Sequence, residues 1–371
     1  MRTSSPFLPS RPVSFAHGLL RSTALLLPLL VAAVTASAAD WKVFKSANEV
    51  GPGENVTVSL DGKVVARLIY GEGQQKPFVA VYDEQGRAIT NAGVDKNGKP
   101  FGAEPHQRGI FIGWKVIESD LGKLDAEAKG TSYKGKAGDT WSMANGTTQK
   151  LIEIEKMATN DDSASIVAKI EWRHGLKDDT GSNLLLTETR RIRVSRPNSS
   201  MLAQVDVAFE LLPARDLRLG ADVQHAGVHM RVDASVYTRP TETSYLWSPE
   251  IPASQGKVYS AAPIAGQTGT VIGDNLKWGE FLFPLHERWY SVTEMNAIKN
   301  PVEEFSTRNY GRFGFFFKIE LKKGEALPLA YRFVVKVAEK PAEGTKRSAE
   351  QITKIRKEMD NAFVRFVHEV R

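Results

Sequence analysis

From residue 41 to about residue 337 this chain alternates apolar and polar side chains at a period of two, and no other feature constrains its fold as much. Such alternation puts every second side chain on one face of a strand, whereas a helix face repeats every three to four residues. Asn55-Val-Thr-Val-Ser-Leu60 and Lys63-Val-Val-Ala-Arg-Leu-Ile-Tyr70 flank Asp61-Gly62, a pair suited to the positive φ angles of a tight hairpin turn. Residues 150–155, 165–172, 184–194 and 201–211 repeat the pattern and are rich in Val, Ile, Thr and aromatics. Several runs exceed nine residues and none is separated from the next by a helical stretch. The expectation is an all-β fold, a large antiparallel β-sandwich of supersandwich type over residues 40–340, with one C-terminal helix. Gly-, Pro- and Asn-rich stretches at 91–107, 128–147 and 238–268 read as long loops, where function usually resides on a β scaffold.

The helix is signalled by Ser348 and Gln351, the spacing of a capping box, followed by Ile352, Ile355, Met359, Phe363 and Phe366 at helical intervals. It belongs to a linker-plus-helix segment, residues 341–371. The other end reads as an export signal. Residues 1–39 hold Arg2, Arg11 and Arg21, no acid, an apolar run at 24–34 and then Thr-Ala-Ser-Ala-Ala. A run of that length is too short to span a bilayer, which takes about 20 apolar residues. The expected location is periplasmic or secreted, with no membrane association once the signal is removed.

Composition narrows the chemistry. The chain has no cysteine, so disulfides, thiolate nucleophiles and cysteine-held clusters are excluded. The formal charge of +6 falls to +3 without the three arginines of the signal, and the remaining cations are interspersed with acids. Nucleic-acid binding, which wants a concentrated basic face, is not expected. No phosphate-binding, dinucleotide-binding or nucleophile-elbow motif is present, and no metal or cofactor is expected.

Candidate residues fall in four places. His106 and Arg108 lie in Glu104-Pro-His-Gln-Arg-Gly109, just before the apolar strand Ile110-Phe-Ile-Gly-Trp114. An imidazole there can transfer a proton and a guanidinium can clamp a carboxylate or hydroxyls; equally, both can simply cap strand ends. His225, His229 and Arg231 share Gln224-His-Ala-Gly-Val-His-Met-Arg231. On a strand, positions i and i+4 lie roughly 13 Å apart, so the two histidines chelate one ion only if Gly227 bends the chain. Arg308 and Tyr310 follow Asn300-Pro301 in Phe305-Ser-Thr-Arg-Asn-Tyr-Gly311. Trp141, in a polar loop, is the best platform for stacking on a sugar face, unless these aromatics are core. Glu104, Glu188 and Glu287 are carboxylates whose spacing pairs none of them.

Taken in order, Lys76-Pro-Phe78, Asp83-Glu-Gln-Gly86, Pro105-His-Gln-Arg-Gly109, Gly227-Val-His-Met-Arg231, Thr307-Arg-Asn-Tyr-Gly311 and Tyr331-Arg-Phe333 resemble the PmoA-like family, common in exported bacterial proteins. The resemblance covers roughly residues 60–340. It implies a β-sandwich similar to galactose-mutarotase-like sugar-processing domains. The family's methane-oxygenase label does not carry over, since a true membrane monooxygenase subunit spans the bilayer many times. The family's loop usually has two histidines before Arg-Gly; here the nearer is Gln107, which leaves His106 and Arg108 as the matched positions.

These readings lead to an exported carbohydrate-processing protein working by acid/base chemistry: epimerisation, mutarotation or elimination. His106 is the expected acid or base, assisted by His229, and Arg108 shares that catalytic group. Arg231 and Arg308 orient the substrate or neutralise an oxyanion, while Trp141 and Tyr310 hold the ring. The partner is a small or oligomeric carbohydrate. A non-catalytic carbohydrate-binding module and a structural envelope protein are the competing readings. All the roles require the segments around 106, 141, 229 and 308 to converge on one end of the stacked sheets.

Overall fold

The computed structural model describes residues 39–47, 53–74, 76–91, 104, 106–123, 137–220, 224–248, 257–260, 268–272 and 276–370. The expected signal lies outside these residues, except for Ala39. In chain order the strands are β1 (Trp41–Ala47), β2 (Glu54–Leu60), β3 (Lys63–Tyr70), β4 (Phe78–Val81), β5 (Gly109–Ile112), β6 (Val116–Glu118) and β7 (Thr148–Asn160). Next come β8 (Ser163–Arg173), β9 (Leu184–Ser195), β10 (Met201–Pro213), β11 (Leu217–Gly220), β12 (Val228–Arg231), β13 (Ser244–Ser248) and β14 (Lys257–Ser260). The last are β15 (Thr268–Ile272), β16 (Trp278–Leu285), β17 (Arg288–Asn296), β18 (Glu304–Arg308), β19 (Arg312–Phe316), β20 (Ile319–Leu321) and β21 (Leu327–Val337), and helix α1 (Ala349–Glu369) follows.

The strands pair antiparallel in three sheets. The ten-stranded sheet runs β1-β2-β3-β4-β5-β12-β19-β18-β15-β14, the eight-stranded sheet β13-β16-β17-β21-β10-β9-β8-β7, and the small sheet β20-β11-β6. The fold is therefore the expected all-β sandwich. Asp61 and Gly62 close the β2–β3 hairpin with φ of 51° and 76°, the geometry that their sequence predicts.

Alternation decides which face each residue occupies. Ala66, Leu68, Val79, Val81, Ile110, Ile112, Val228, Met230, Phe313 and Phe315 of the ten-stranded sheet share one buried cluster with Ile166, Ile170, Val205, Phe209, Tyr331 and Phe333 of the eight-stranded sheet. Each such side chain contributes roughly 1.5–3 kcal/mol by leaving water. With those residues turned inward, the pleat directs Phe78, Phe111, His229, Arg231, Ser306, Arg308 and Arg312 to the outer face of the ten-stranded sheet.

Helix α1 covers the outer face of the other sheet. Met359, Ala362, Phe363 and Phe366 pack on Met201, Trp278, Met295 and Val334. The Trp278 Nε1–H donates to Asp360 at 2.9 Å, and Lys336 pairs with Glu358 at 2.8 Å. Both halves of the expected capping box form: Ser348 N–H donates to Gln351 Oε1 at 2.9 Å, and Gln351 N–H to Ser348 Oγ at 3.1 Å. Among the described residues no helix is long and apolar enough to cross a membrane.

Two local expectations change. The stretch 238–268 carries β13, which joins the eight-stranded sheet, and β14, which joins the ten-stranded one. All five residues of β13 are half-buried, so the strand has no inward–outward contrast for a pattern to reveal. Asn300, expected in a ligand loop, is a strand-end clamp. Its amide donates to Ala330 O at 3.0 Å and accepts from Ala330 N at 2.9 Å.

Candidate functional site

Three adjacent strands put an arginine at the same level of the outer face. Arg231 of β12 is paired with Arg312 of β19, and Arg312 is paired with Arg308 of β18. Glycine ends the row on each side, Gly109 opposite Arg231 and Gly269 opposite Arg308. Like charges directly opposite one another across strands destabilise a sheet, so this row costs the fold free energy. Arg308 lies flat over Gly269, where a Cβ would stand 2.0 Å from its Nη1.

Arg231 and Arg312 are both completely buried. Arg231 Nη1 donates to the Tyr310 carbonyl, and its guanidinium lies over the rings of Tyr310 at 4.8 Å and Tyr237 at 5.6 Å. Arg312 Nη1 contacts His229 Nδ1 at 3.1 Å and Ser306 Oγ at 3.3 Å, and the guanidinium lies 5.5 Å from the Trp141 ring. In each arginine, Nε and Nη2 have no hydrogen-bond partner among the described residues.

His229 is held on both sides. Its Nε2 lies 2.8 Å from Ala226 O, which can only accept, so Nε2 carries the proton and Nδ1 presents its lone pair to Arg312. Burial, then the Arg312 charge, keeps its pKa well below the ordinary histidine value. A neutral imidazole held in this way positions Arg312 through its Nδ1 lone pair. Gly227, at φ 80°, makes the bend ahead of β12, because a Cβ there would meet Phe315 O at 2.3 Å. The bend brings His225 and His229 to the same indole, with ring centroids 5.2 and 4.8 Å from Trp141. Among the described residues no group of three or more His, Asp or Glu can hold a metal ion.

Trp141 is only 1% exposed, enclosed by Phe111, His225, His229 and Arg312. It is a buried wall rather than the expected open platform. Tyr310 is likewise buried at 6% exposure and stacks near Tyr237 at 5.3 Å, so it braces Arg231 instead of presenting a ring face. Burial raises the Tyr310 phenol, but the charges of Arg312 and Arg231 outweigh it, and the net shift is downward.

Beneath the Trp141 loop lies the lysine of Lys76-Pro-Phe78, which its local sequence does not mark as a site residue. Lys76 is 1% exposed; its ammonium donates to Trp141 O at 2.7 Å and Thr140 O at 3.1 Å and sits 4.5 Å from the Phe111 ring centroid. Burial is the main cause that pushes its pKa down to about 7, with Arg108 and Arg190 acting in the same direction and Asp139 opposing. His106 lies nearer the surface, 3.6 Å from Glu104. Burial and then the charges of Lys76, His225, Lys115 and Arg312 push its pKa down to about 3. It is therefore a neutral imidazole at the mouth of a cationic site. Burial lowers Arg108 to about 10; the guanidinium donates to Gln74 and faces the Phe78 ring at 6.0 Å.

The four expected segments do converge, on the outer face of the ten-stranded sheet rather than at one end of the sandwich. Arg312, Lys76 and His225 complete the cluster. Of the remaining carboxylates, Glu188 is buried with Arg190 at 2.6 Å and the Trp172 Nε1–H at 2.7 Å, a structural pair, and Glu287 lies in the β16–β17 turn. Asp139 is paired with Lys115 at 2.9 Å. Among the described residues the site therefore holds more cations than acids.

Comparison with solved structures finds similarity to a galactose mutarotase-like protein from Clostridium acetobutylicum, 8% identical, with 81% of this chain and 99% of that one covered at a TM-score of 0.44. A galactose 1-epimerase from Lactobacillus acidophilus is 9% identical, with 81% and 100% covered at a TM-score of 0.38. A glycoside hydrolase family 97 enzyme from Pseudoalteromonas is 11% identical, with 74% of this chain and 34% of that one covered at a TM-score of 0.35. No curated protein matches the chain. A family model matches residues 55–350, and the chain belongs to that family, DUF6807, a family of unknown function.

Proposed function

We propose that this protein is exported and acts on a carbohydrate by acid/base chemistry at the outer face of the ten-stranded sheet. The observation that carries the reading is the juxtaposition of a neutral imidazole, His106, with the buried guanidinium of Arg312 and, on the next strand, that of Arg231; among the described residues the Nε and Nη2 groups of both have no hydrogen-bond partner. Epimerisation, mutarotation and elimination share one demand: a base removes a proton while an oxygen atom takes up negative charge. His106 is the base, and its protonation becomes easier as that negative charge develops beside it. The arginines stabilise the oxygen, at positions fixed by Tyr310, His229 and Ser306 before substrate arrives. Arg108 and Arg308 border the cluster and orient the ligand.

The competing binding-module reading wants an exposed aromatic groove, and Trp141 is buried instead. Export rests on the charge and apolar order of residues 1–39.

The test is a thermal-shift screen of mono-, oligo- and keto-sugars, followed by an NMR assay of conversion for any sugar that stabilises the protein. His106→Ala should keep the stabilisation and lose roughly 10²–10⁴-fold in turnover. Unchanged turnover in that variant, or no stabilising sugar at all, would overturn the proposal.

A further inference from the structure

We infer that the ligand of this site is an acidic sugar, whose carboxylate is held by the side-on edges of Arg231 and Arg312; this rests on the carbohydrate reading above. In both arginines the engaged nitrogen is Nη1, and in both the pair without a hydrogen-bond partner among the described residues is Nε with Nη2. Those two N–H groups form one edge of the guanidinium, a fork that matches the two oxygens of a carboxylate. The repetition on neighbouring strands indicates a common partner.

Charge accounting within the described residues points the same way. Among them neither arginine, nor Lys76, has a carboxylate within ion-pair distance. Of the nearby acids, Asp139 is paired with Lys115 at 2.9 Å, and Glu104 attracts Arg231 only from beyond ion-pair distance. An isolated charge is costly to bury, and proteins retain one where a partner arrives with opposite sign. A neutral sugar offers hydroxyls, which satisfy N–H groups and leave the charge uncompensated. A carboxylate does both. Arg308 closes the same cross-strand row at the border of the site.

The competing explanation is that Arg231 and Arg312 are structural, held by aromatic faces and by Tyr310, His229 and Ser306. Those contacts engage Nη1 of each guanidinium, and the Tyr310 phenol approaches Arg312, but among the described residues both Nε–Nη2 edges have no hydrogen-bond partner.

Isothermal titration on the full mature chain separates these ideas, with D-glucuronate and D-galacturonate as probes, D-glucose and D-galactose as their neutral counterparts, and sodium acetate as a carboxylate without a ring. At low salt a uronate should bind at least about tenfold more tightly than its neutral counterpart, the difference of one good charge-assisted hydrogen-bonded pair. Arg312→Met should abolish that preference and raise the melting temperature of the unliganded protein, because it removes a buried uncompensated charge. Arg308→Met, at the border, should reduce the preference without unfolding the chain and serves if the Arg312 variant does not fold. Equal binding of uronates and neutral sugars would overturn the acidic-ligand inference and leave the carbohydrate reading standing. Acetate binding as tightly as the uronates would overturn the carbohydrate reading and keep the anion site. Absence of binding by every acid, or a uronate preference that survives both substitutions, would overturn the inference itself.

Discussion

Glu303→Gln should flatten the pH dependence of stability, and the size of the effect follows from the interior of the sandwich. Glu303 is fully buried; its Oε1 accepts from the Tyr331 hydroxyl at 2.5 Å and its Oε2 has no partner among the described residues. Burial pushes its pKa up to about 8, with the Tyr331 bond opposing. Glu294, fully buried, is raised by burial and then by the charge of Glu303, with the Phe315 backbone opposing. A carboxyl raised in the folded state stabilises the fold fully below its unfolded pKa, near 4.3, and loses that contribution as pH rises toward 8. Between pH 5 and 7 the slope approaches its limit of about 1.4 kcal/mol per pH unit, so Glu303 removes on the order of 2–3 kcal/mol. Glutamine keeps the acceptor for Tyr331 and does not titrate. Urea unfolding of wild type and Glu303→Gln at pH 5, 6 and 7 gives the difference: His106 and Lys76 titrate in both proteins and cancel, while loss of the Glu303 charge eases ionisation of Glu294 and acts in the same direction. The variant should gain about 2–3 kcal/mol relative to wild type over that range. A stability difference that stays constant from pH 5 to 7 would refute the reasoning.

Two further outcomes are expected. Gly227→Ala places a Cβ 2.3 Å from Phe315 O at a φ of 80°, and should cost about 3 kcal/mol or more in unfolding free energy and displace His225 from Trp141. Protein recovered from the periplasm or medium of a bacterial host should begin after Ala38 or Ala39 by N-terminal sequencing; full-length chain confined to the cytoplasm would contradict export.

Much of the fold was legible because antiparallel strands with one buried face repeat every second residue, as in β3, β8 and β10. The helix was legible from its cap and stripe. β13 was not, because all its residues are half-buried and its pattern carries no contrast. The site was legible in part. His106, Arg108, Arg231 and Arg308 stood out as polar groups at the borders of apolar strands. Arg312 did not, since it looks like the ordinary first residue of an aromatic strand, and only its pairing with Arg231 and Arg308 gives it meaning. Lys76 precedes a proline in a loop, and its burial under Trp141 is a tertiary fact with no local signal. Trp141 and Tyr310 were assigned to ligand stacking because an aromatic in a polar loop reads the same whether it ends exposed or enclosed. That His229 lies between the Ala226 carbonyl and Arg312 is a tertiary fact with no local signal.

The central claim is that ligand binds where the Nε and Nη2 groups of Arg231 and Arg312 meet His106. A crystal structure of the mature chain soaked with the tightest-binding uronate tests it most directly. Density for the carboxylate against both guanidinium edges, with the ring reaching His106, is the predicted result. A ligand ordered anywhere else on the molecule, with both edges untouched, would contradict the account.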